Sequence, residues 1–505
     1  AAKLPSVRNP LLLVSATQLA KKIRRREVLS VEVVQAYIDR IQDVNPLINA
    51  VTKDRFDAAL QEAAQVDRLI EEETGGEEVL EDRLPLLGVP LSVKSSYAFQ
   101  GMPFTSGLCS RRGVIASVDA PPLTLLKRAG AVPLGTTNTS ELCMWSESHN
   151  HLHGITRNPY DLERIPGGSS GGEGSLLAAA GSVIGVGSDI GGSIRMPAFF
   201  NGIFGHKTTP GKINRHLNVQ LFLRFYLHLL NLFAVGVVSN ENQYPPSSGR
   251  QEEYLSLGPM CRYAEDLKLM LKIMAGPNAN MLSLNATVDL KKLRFFTIPH
   301  DSGSVWTHPV SKELMEIQRK VRWMNNSQKM GRRVFKPEHV FLSNHFAPLQ
   351  SPISFTELMG EPGHPAWPSW ELLKRMVGKS DHTVAAIALG LMEMTHGSKP
   401  SKVIMQLKED LQNKVDELLG TDGVFLYPSH PRVAPKHHHP LFRPFDFAYT
   451  GIINILGLPA TQCPLGLNQE GLPLGVQVVA GKLQDHLTLE LAVFLEKTFG
   501  GWRDP

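Results

Sequence analysis

Lys94 closes an apolar stretch, Leu86 to Val93 (LLGVPLSV). A lysine carried on such a segment is poorly solvated. Burial disfavours its charged form, so the neutral amine becomes a competent general base for a nearby hydroxyl. Taken alone, a lysine at such a place more often extends its ammonium to water, and the weight comes from what accompanies it. Pro166 to Gly174 (PGGSSGGEG) surrounds Ser169 and Ser170 with five glycines, and Ser193 follows Ser169 by 24 residues within Ser188 to Pro197 (SDIGGSIRMP). Such glycine density lets backbone N–H groups converge on a ligand, at a cost in folding entropy that calls for a reason.

Phosphate binding is one reason, and the motif rules it out. No Lys follows these glycines as a P-loop requires, and Gly185, Gly187 and Gly191 miss the dinucleotide pattern by one position. The other reason is an oxyanion hole, in which Ile190, Gly191, Gly192 and Ser193 offer consecutive N–H donors to the charge that develops on an acyl carbonyl. A nucleophilic serine then needs a base, and two stand available. Gly168 to Gly172 satisfies G-x-S-x-G, which makes Ser170 the nucleophile of an α/β-hydrolase esterase served by His430 or by His437 to His439, although a glycine-saturated tract meets this pattern easily by chance. The second base is Lys94.

The elements that position these groups alternate in texture. Helices are predicted over Ala16 to Arg25, over Ser30 to Val44 with Ser30 as cap and Pro46 as terminator, and over residues 53 to 74. Short apolar runs at Leu86 to Val93, Ala131 to Leu134 and Val183 to Val186 have strand length. They alternate with helical stretches at Ala120 to Ala129 and Gly174 to Ala180, which predicts βα units over a buried, mostly parallel sheet. Strands near Gly423 to Tyr427 and Gly475 to Val479 and a helix from Asp485 to Phe499 repeat the style. Residues 220 to 238 are dense in Leu and Phe with one polar stripe, Gln220, Arg224, His228 and Asn231, and read as an interfacial helix or an ordinary buried one. Residues 365 to 399, with Trp367 and Trp370, line a lipid route or belong to the core.

Composition narrows the class. With 505 residues, 42% hydrophobic, and 52 basic against 48 acidic side chains for a net charge of +4, the chain is a globular protein without a nucleic-acid footprint. Cys109, Cys143, Cys261 and Cys463 form no C-x-x-C pair, so a reducing compartment is the default. The chain starts at Ala1 without methionine, so residues 1 to 14 are expected to be the remnant of a longer terminus that carried an anchor or address.

Taken together, Lys94 after GVPLSV, the PGGSSGGEG tract, the stretch Asp189 to Lys207 (DIGGSIRMPAFFNGIFGHK) and Gly471 to Gly481 (GLPLGVQVVAG) resemble the amidase signature family over roughly residues 15 to 500. The resemblance implies a single large α/β domain, a central mixed β-sheet covered by helices on both faces. It also implies Ser193 as acyl nucleophile, Ser169, after a cis peptide, as proton relay, and Lys94 as base, with no cofactor and no metal. Within the family, GGSSGGEG, Glu141 to Trp145 (ELCMW), Gly423 to His438 (GVFLYPSHPRVAPKHH), TQCPLGLN and EKTFGGW are most similar to the vertebrate membrane-bound branch that acts on fatty-acid amides. That implies substrates such as oleamide and anandamide-like N-acyl ethanolamines, and residence at the endoplasmic reticulum or a lipid droplet. It further implies an acyl channel beginning at Cys143 and Met144, partners limited to the lipid amide and the membrane surface, and a homodimer as an open option.

Three features depart from the family pattern. Ser95 and Ser96 follow Lys94 where many members carry an acidic residue, so a carboxylate that orients the site is expected to be missing. Pro210-Gly211 and Val237-Val238 are separated by residues 212 to 236, an apparent insertion that holds most of the apolar stretch and is a candidate membrane-contacting helix. His437 to His439 resemble a metal cluster but have no acidic or cysteine neighbours in sequence, which favours a solvated loop. The alternatives to a lipid amidase are an amidotransferase-type glutaminase subunit, whose pocket needs an Arg or Asp to hold an amino-acid head group, and the Ser170 esterase.

Overall fold

The computed structural model describes residues 3–210, 236–247, 249–297, 304–324, 328–329, 353–361, 363–396 and 402–505. Its strands are β1 (Val51–Asp54), β2 (Pro90–Lys94), β3 (Val132–Thr137), β4 (His149–Asn150), β5 (Gly154–Ile155), β6 (Ile184–Asp189), β7 (Phe204–Lys207), β8 (Ser256–Cys261), β9 (Arg294–Thr297), β10 (Gln328–Lys329), β11 (Gly423–Tyr427), β12 (Ala460–Leu467) and β13 (Pro473–Ala480). Eleven of them form one sheet in the order β1-β3-β2-β6-β8-β7-β12-β13-β11-β9-β10, and β4 and β5 pair as a separate ribbon. This is the mixed α/β architecture that the family resemblance implied.

The expectation of a mostly parallel sheet is corrected. β2 runs parallel to β3 and β6, and β9 runs parallel to β10 and β11. Between these parallel blocks, β6, β8, β7, β12, β13 and β11 are joined antiparallel. A strand covered on both faces is apolar throughout, whichever way its neighbours run, so the apolar runs carried no information on direction. Alternation along β11 shows the two covered faces: Val424 and Leu426 join a core with Tyr37, Ile41 and Leu491, whereas Phe425 and Tyr427 join one with Phe199, Val415 and Ile453.

Several helix boundaries also move. The second helix is Ser30–Ile48 and runs past Pro46, ending at Asn49 in the left-handed conformation; its cap is Leu29, whose N–H donates to Glu32, while Ser30 and Val31 donate theirs to Asp67. Residues expected at the start of the third helix instead form β1 against β3, and the helix is Phe56–Glu72. The C-terminal helix Asp485–Phe499 lies where its periodicity placed it. The apolar stretch at 220–238 falls outside the described residues except for its last three; of these, Val237 and Val238 are buried. Among the described residues no helix is long and apolar enough to cross a membrane.

Candidate active site

β2 and β6 lie side by side in parallel, with Val93 opposite Val186, so the next step along each strand brings Lys94 beside Gly187 and Ser188. Both strands deliver their carboxyl ends to the same edge of the sheet, where α/β folds hold ligands. Lys94 is fully enclosed, and its Nζ hydrogen-bonds Ser169 Oγ at 2.7 Å and Ser188 Oγ at 2.8 Å. Burial pushes the amine below the ordinary lysine value, against the opposing pull of Cys143, Asp189 and Glu173. Ser169 follows a cis peptide bond after Gly168, and its carbonyl accepts from Thr139 Oγ1 at 2.8 Å and Ser148 Oγ at 3.2 Å.

Ser193 sits in the turn between β6 and the helix Arg195–Phe200. Asp189 organises that turn: its carboxylate accepts the N–H groups of Gly192, Ile194 and Arg195 and an ion pair from the Arg195 guanidinium at 2.9 Å. Burial alone would raise this carboxyl. The charges of Arg195 and Lys207 and hydrogen bonds from Arg195 and Asn454 outweigh that and hold it well below the usual carboxylate range. Gly192 adopts φ +125°, and a Cβ there would meet Thr450 Oγ1 at 2.1 Å, so only glycine fits. The expected row of four oxyanion donors is thereby narrowed, because Gly192 spends its N–H on Asp189. Among the described residues, the N–H groups of Ile190, Gly191 and Ser193 have no acceptor.

Ser193 is 8% exposed, and among the described residues its hydroxyl has no hydrogen-bond partner. It opens instead onto two cavities that share Cys143, Met144, Ile190, Ser193 and Leu389. One, of about 180 Å³, is apolar, with Trp145, Met196, Met392, Leu441 and Phe447 in its wall. The other, of about 60 Å³, has Ser169, Ser188 and Gln243 among its lining. Cys143 and Met144 thus stand where both cavities meet the serines. Glu393 is the one charged residue among the described residues lining either cavity, and its carboxylate is taken by the N–H groups of Phe355 and Thr356.

The structure does not bring the histidines to Ser170. That hydroxyl is buried and donates to Ser188 O at 3.5 Å, and Ser170 lines neither cavity. His430 Nδ1 pairs with the Arg432 carbonyl, and His437 Nδ1 with Glu147 Oε1 at 2.7 Å. The expectation that the 437–439 histidines lack an acidic neighbour is corrected, since Glu147, distant in sequence, contacts both His437 and His438. Among the described residues no group of three or more His, Cys, Asp or Glu side chains is placed to hold a metal ion.

The expected lack of a carboxylate near Lys94 is also corrected. Glu173, from the PGGSSGGEG tract itself, lies buried and accepts hydrogen bonds from Ser92 at 2.6 Å and Thr137 at 2.7 Å. Burial raises it to about 7 against those two bonds and the Lys94 charge. Ser188, Asp189, Arg195 and Glu173 are therefore further candidate site residues that sequence reasoning missed, although all four stood inside the stretches it singled out. Ser95 and Ser96 are buried with unpaired hydroxyls, for which the structure offers no account.

A family model described as Amidase matches residues 32–489. The chain is 60% identical to fatty-acid amide hydrolase 2-A of Danio rerio, over 100% of this chain and 92% of that protein, and 50% identical to fatty-acid amide hydrolase 2 of Homo sapiens, over 99% and 91%. Among solved structures, one titled fatty acid amide hydrolase superposes with a TM-score of 0.73 at 22% identity, over 98% of this chain and 86% of that one, a likeness of fold.

Proposed function

The chain belongs to the amidase family and is an amidase, and we propose that it hydrolyses long-chain fatty-acid amides, oleamide and N-acyl ethanolamines such as anandamide, to fatty acid and amine. The observation that carries this reading is the enclosed Lys94 nitrogen, bonded to Ser169 beneath a cavity onto which Ser193 opens. Names of relatives at 50% to 61% identity support the substrate class.

The chemistry follows from these groups. The lone pair of neutral Lys94 accepts the Ser169 proton, and Ser169 in turn takes the proton of Ser193 as Ser193 Oγ bonds to the amide carbon. The Ser169 to Ser193 link is not a hydrogen bond in this structure and forms as substrate seats. Negative charge on the carbonyl oxygen is met by the N–H groups of Ile190, Gly191 and Ser193. Lys94 returns the proton through Ser169 to the nitrogen, without which an amine cannot leave, and water then cleaves the ester to Ser193. The larger apolar cavity suits the acyl chain, and among the described residues neither lining holds a free charge, which argues against a glutaminase, since that has to hold a zwitterionic head group.

The reading extends to a membrane or lipid-droplet surface. Trp367, Trp370, Leu373, Met376 and Val377, on and around the helix Pro368–Met376, are each more than half exposed, and the exposed Arg375 and Lys379 stand among them. This helix packs on Val384–His396, which contributes Leu389 and Met392 to the cavities. Apolar and aromatic side chains mixed with basic ones suit an anionic lipid interface.

Fluorophosphonate labelling of the wild type, Ser193→Ala and Ser170→Ala tests the assignment, together with hydrolysis of oleamide against glutamine. Labelling and oleamide hydrolysis should vanish only in Ser193→Ala; their loss only in Ser170→Ala, or turnover of glutamine in preference to oleamide, overturns it.

A further inference from the structure

Gln243 is 9% exposed and lines the smaller cavity beside Ser169, Ser188 and Ser193, yet among the described residues its side-chain amide has no partner. Its Oε1 is buried without a partner, and among the described residues its Nε2 has no acceptor either. Its position is nevertheless closely held. The backbone pairs with the chain that continues from Lys94: Tyr244 N–H donates to Ser96 O at 2.9 Å, Ala98 N–H donates to Asn242 O at 2.8 Å, and Gln243 bridges Tyr97, whose hydroxyl is anchored on Gly187 O. A buried amide without a partner costs free energy in the empty protein, and that cost is removed when a ligand supplies the missing donor or acceptor.

Resting on the amidase reading above, we propose that Gln243 hydrogen-bonds a polar group on the nitrogen side of the substrate, a hydroxyl on the amine portion, and so selects hydroxyalkyl amines as leaving groups. Two observations and one chemical argument support this. Both cavities reach Ser193 and their walls are otherwise largely separate, so the two halves of an amide bound there can occupy different ones. The larger has an almost wholly apolar wall and takes the chain; the smaller is also mostly apolar but adds Gln243, Ser169 and Ser188 near Ser193, which leaves the amine there. A hydroxyl offers both a donor and an acceptor to a side chain that has one of each unmet, whereas an alkyl group of the same size leaves both desolvated and unpaired.

The test compares kcat/KM for N-(2-hydroxyethyl)oleamide and N-propyloleamide, which share an acyl chain and a number of heavy atoms. The wild type should favour the hydroxyethyl amide by about tenfold, as one buried hydrogen bond allows. In Gln243→Met, close in volume and without polar atoms, the ratio should fall to about one. Fluorophosphonate labelling of Ser193 reports whether the variant's site is built; if the Met variant is not labelled, the wild-type ratio decides. A wild type that cleaves both amides equally, or a labelled Met variant that keeps the preference, overturns the role of Gln243 while leaving the amidase reading intact. A wild type that cleaves oleamide but neither N-substituted amide overturns this inference alone; one that cleaves none of the three overturns the fatty-acid amide reading, and this inference with it.

Discussion

If Lys94 is the base proposed above, its enclosure sets the pH at which its amine works. A base has to be uncharged to accept a proton, and burial lowers the pKa of this amine, so the neutral fraction at any given pH exceeds that of an exposed lysine. The sign of the pH dependence follows. The rate should rise with pH as Lys94 loses its proton and level off above its pKa, with the midpoint of the limb below the ordinary value of 10.5. A kcat/KM profile on oleamide measures that midpoint, and one at or above 10.5 would count against an enclosed base. Lys94→Ala should lose the limb and at least ~100-fold in kcat/KM, the lower end for removal of a general base. Asp189 plays a different part: locked to Arg195 and to three backbone N–H groups, it positions the turn and holds no proton near neutrality.

At the level of elements, the turn from β6 into the helix Arg195–Phe200 carries the proposed nucleophile Ser193 and the proposed N–H donors together, and its shape depends on Gly192. A side chain there meets Thr450 and has to adopt φ +125°. Gly192→Ala should therefore destabilise the fold by on the order of 3 kcal/mol, combining a disfavoured backbone with overpacking. It should also depress kcat more than the affinity for substrate, because the donors shift. Thermal unfolding and steady-state kinetics on the same preparation check both, and an unchanged Tm would show that the turn relaxes freely. A second turn is braced in a comparable way. Glu141 accepts from Thr383 N–H and hydrogen-bonds His382 Nδ1, tying the loop that presents Cys143 and Met144 to the start of the helix Val384–His396, so one hydrogen-bonded corner holds two sides of the cavity.

For the molecule as a whole, the exposed Trp and Leu side chains of residues 367–377 lie on a helix packed against a cavity wall, so docking on lipid would bring substrate to the entrance without passage through water. Replacing Trp370, Leu373 and Met376 together by Ser should reduce flotation with anionic phosphatidylcholine and phosphatidylserine vesicles at least tenfold, since each removes apolar area available for burial. Fluorophosphonate labelling in detergent should persist. A companion chain without residues 212–236 tests whether that stretch adds to binding. Equal flotation of all three proteins would remove the surface from the account.

The chain's own order of residues determined the family and the candidate reactive groups: Lys94 at the end of an apolar run, Ser169 and Ser193 24 residues apart in two glycine-rich tracts, and the local periodicity of helices such as Asp485–Phe499 were all legible because each depends on neighbours close in sequence. Strand direction was not legible, since a strand buried on both faces has the same composition whichever way its partner runs. Nor were the pairings of Glu173 with Ser92 and Thr137, of Glu147 with His437, or of Asn242 to Tyr244 with the chain beyond Lys94. Each joins segments tens to hundreds of residues apart, and only packing brings them within hydrogen-bond range. Tertiary structure likewise decided which serine opens onto the cavity and which lies beneath it, because Ser169 and Ser170 are adjacent in the same tract and differ only in the direction the fold gives their hydroxyls.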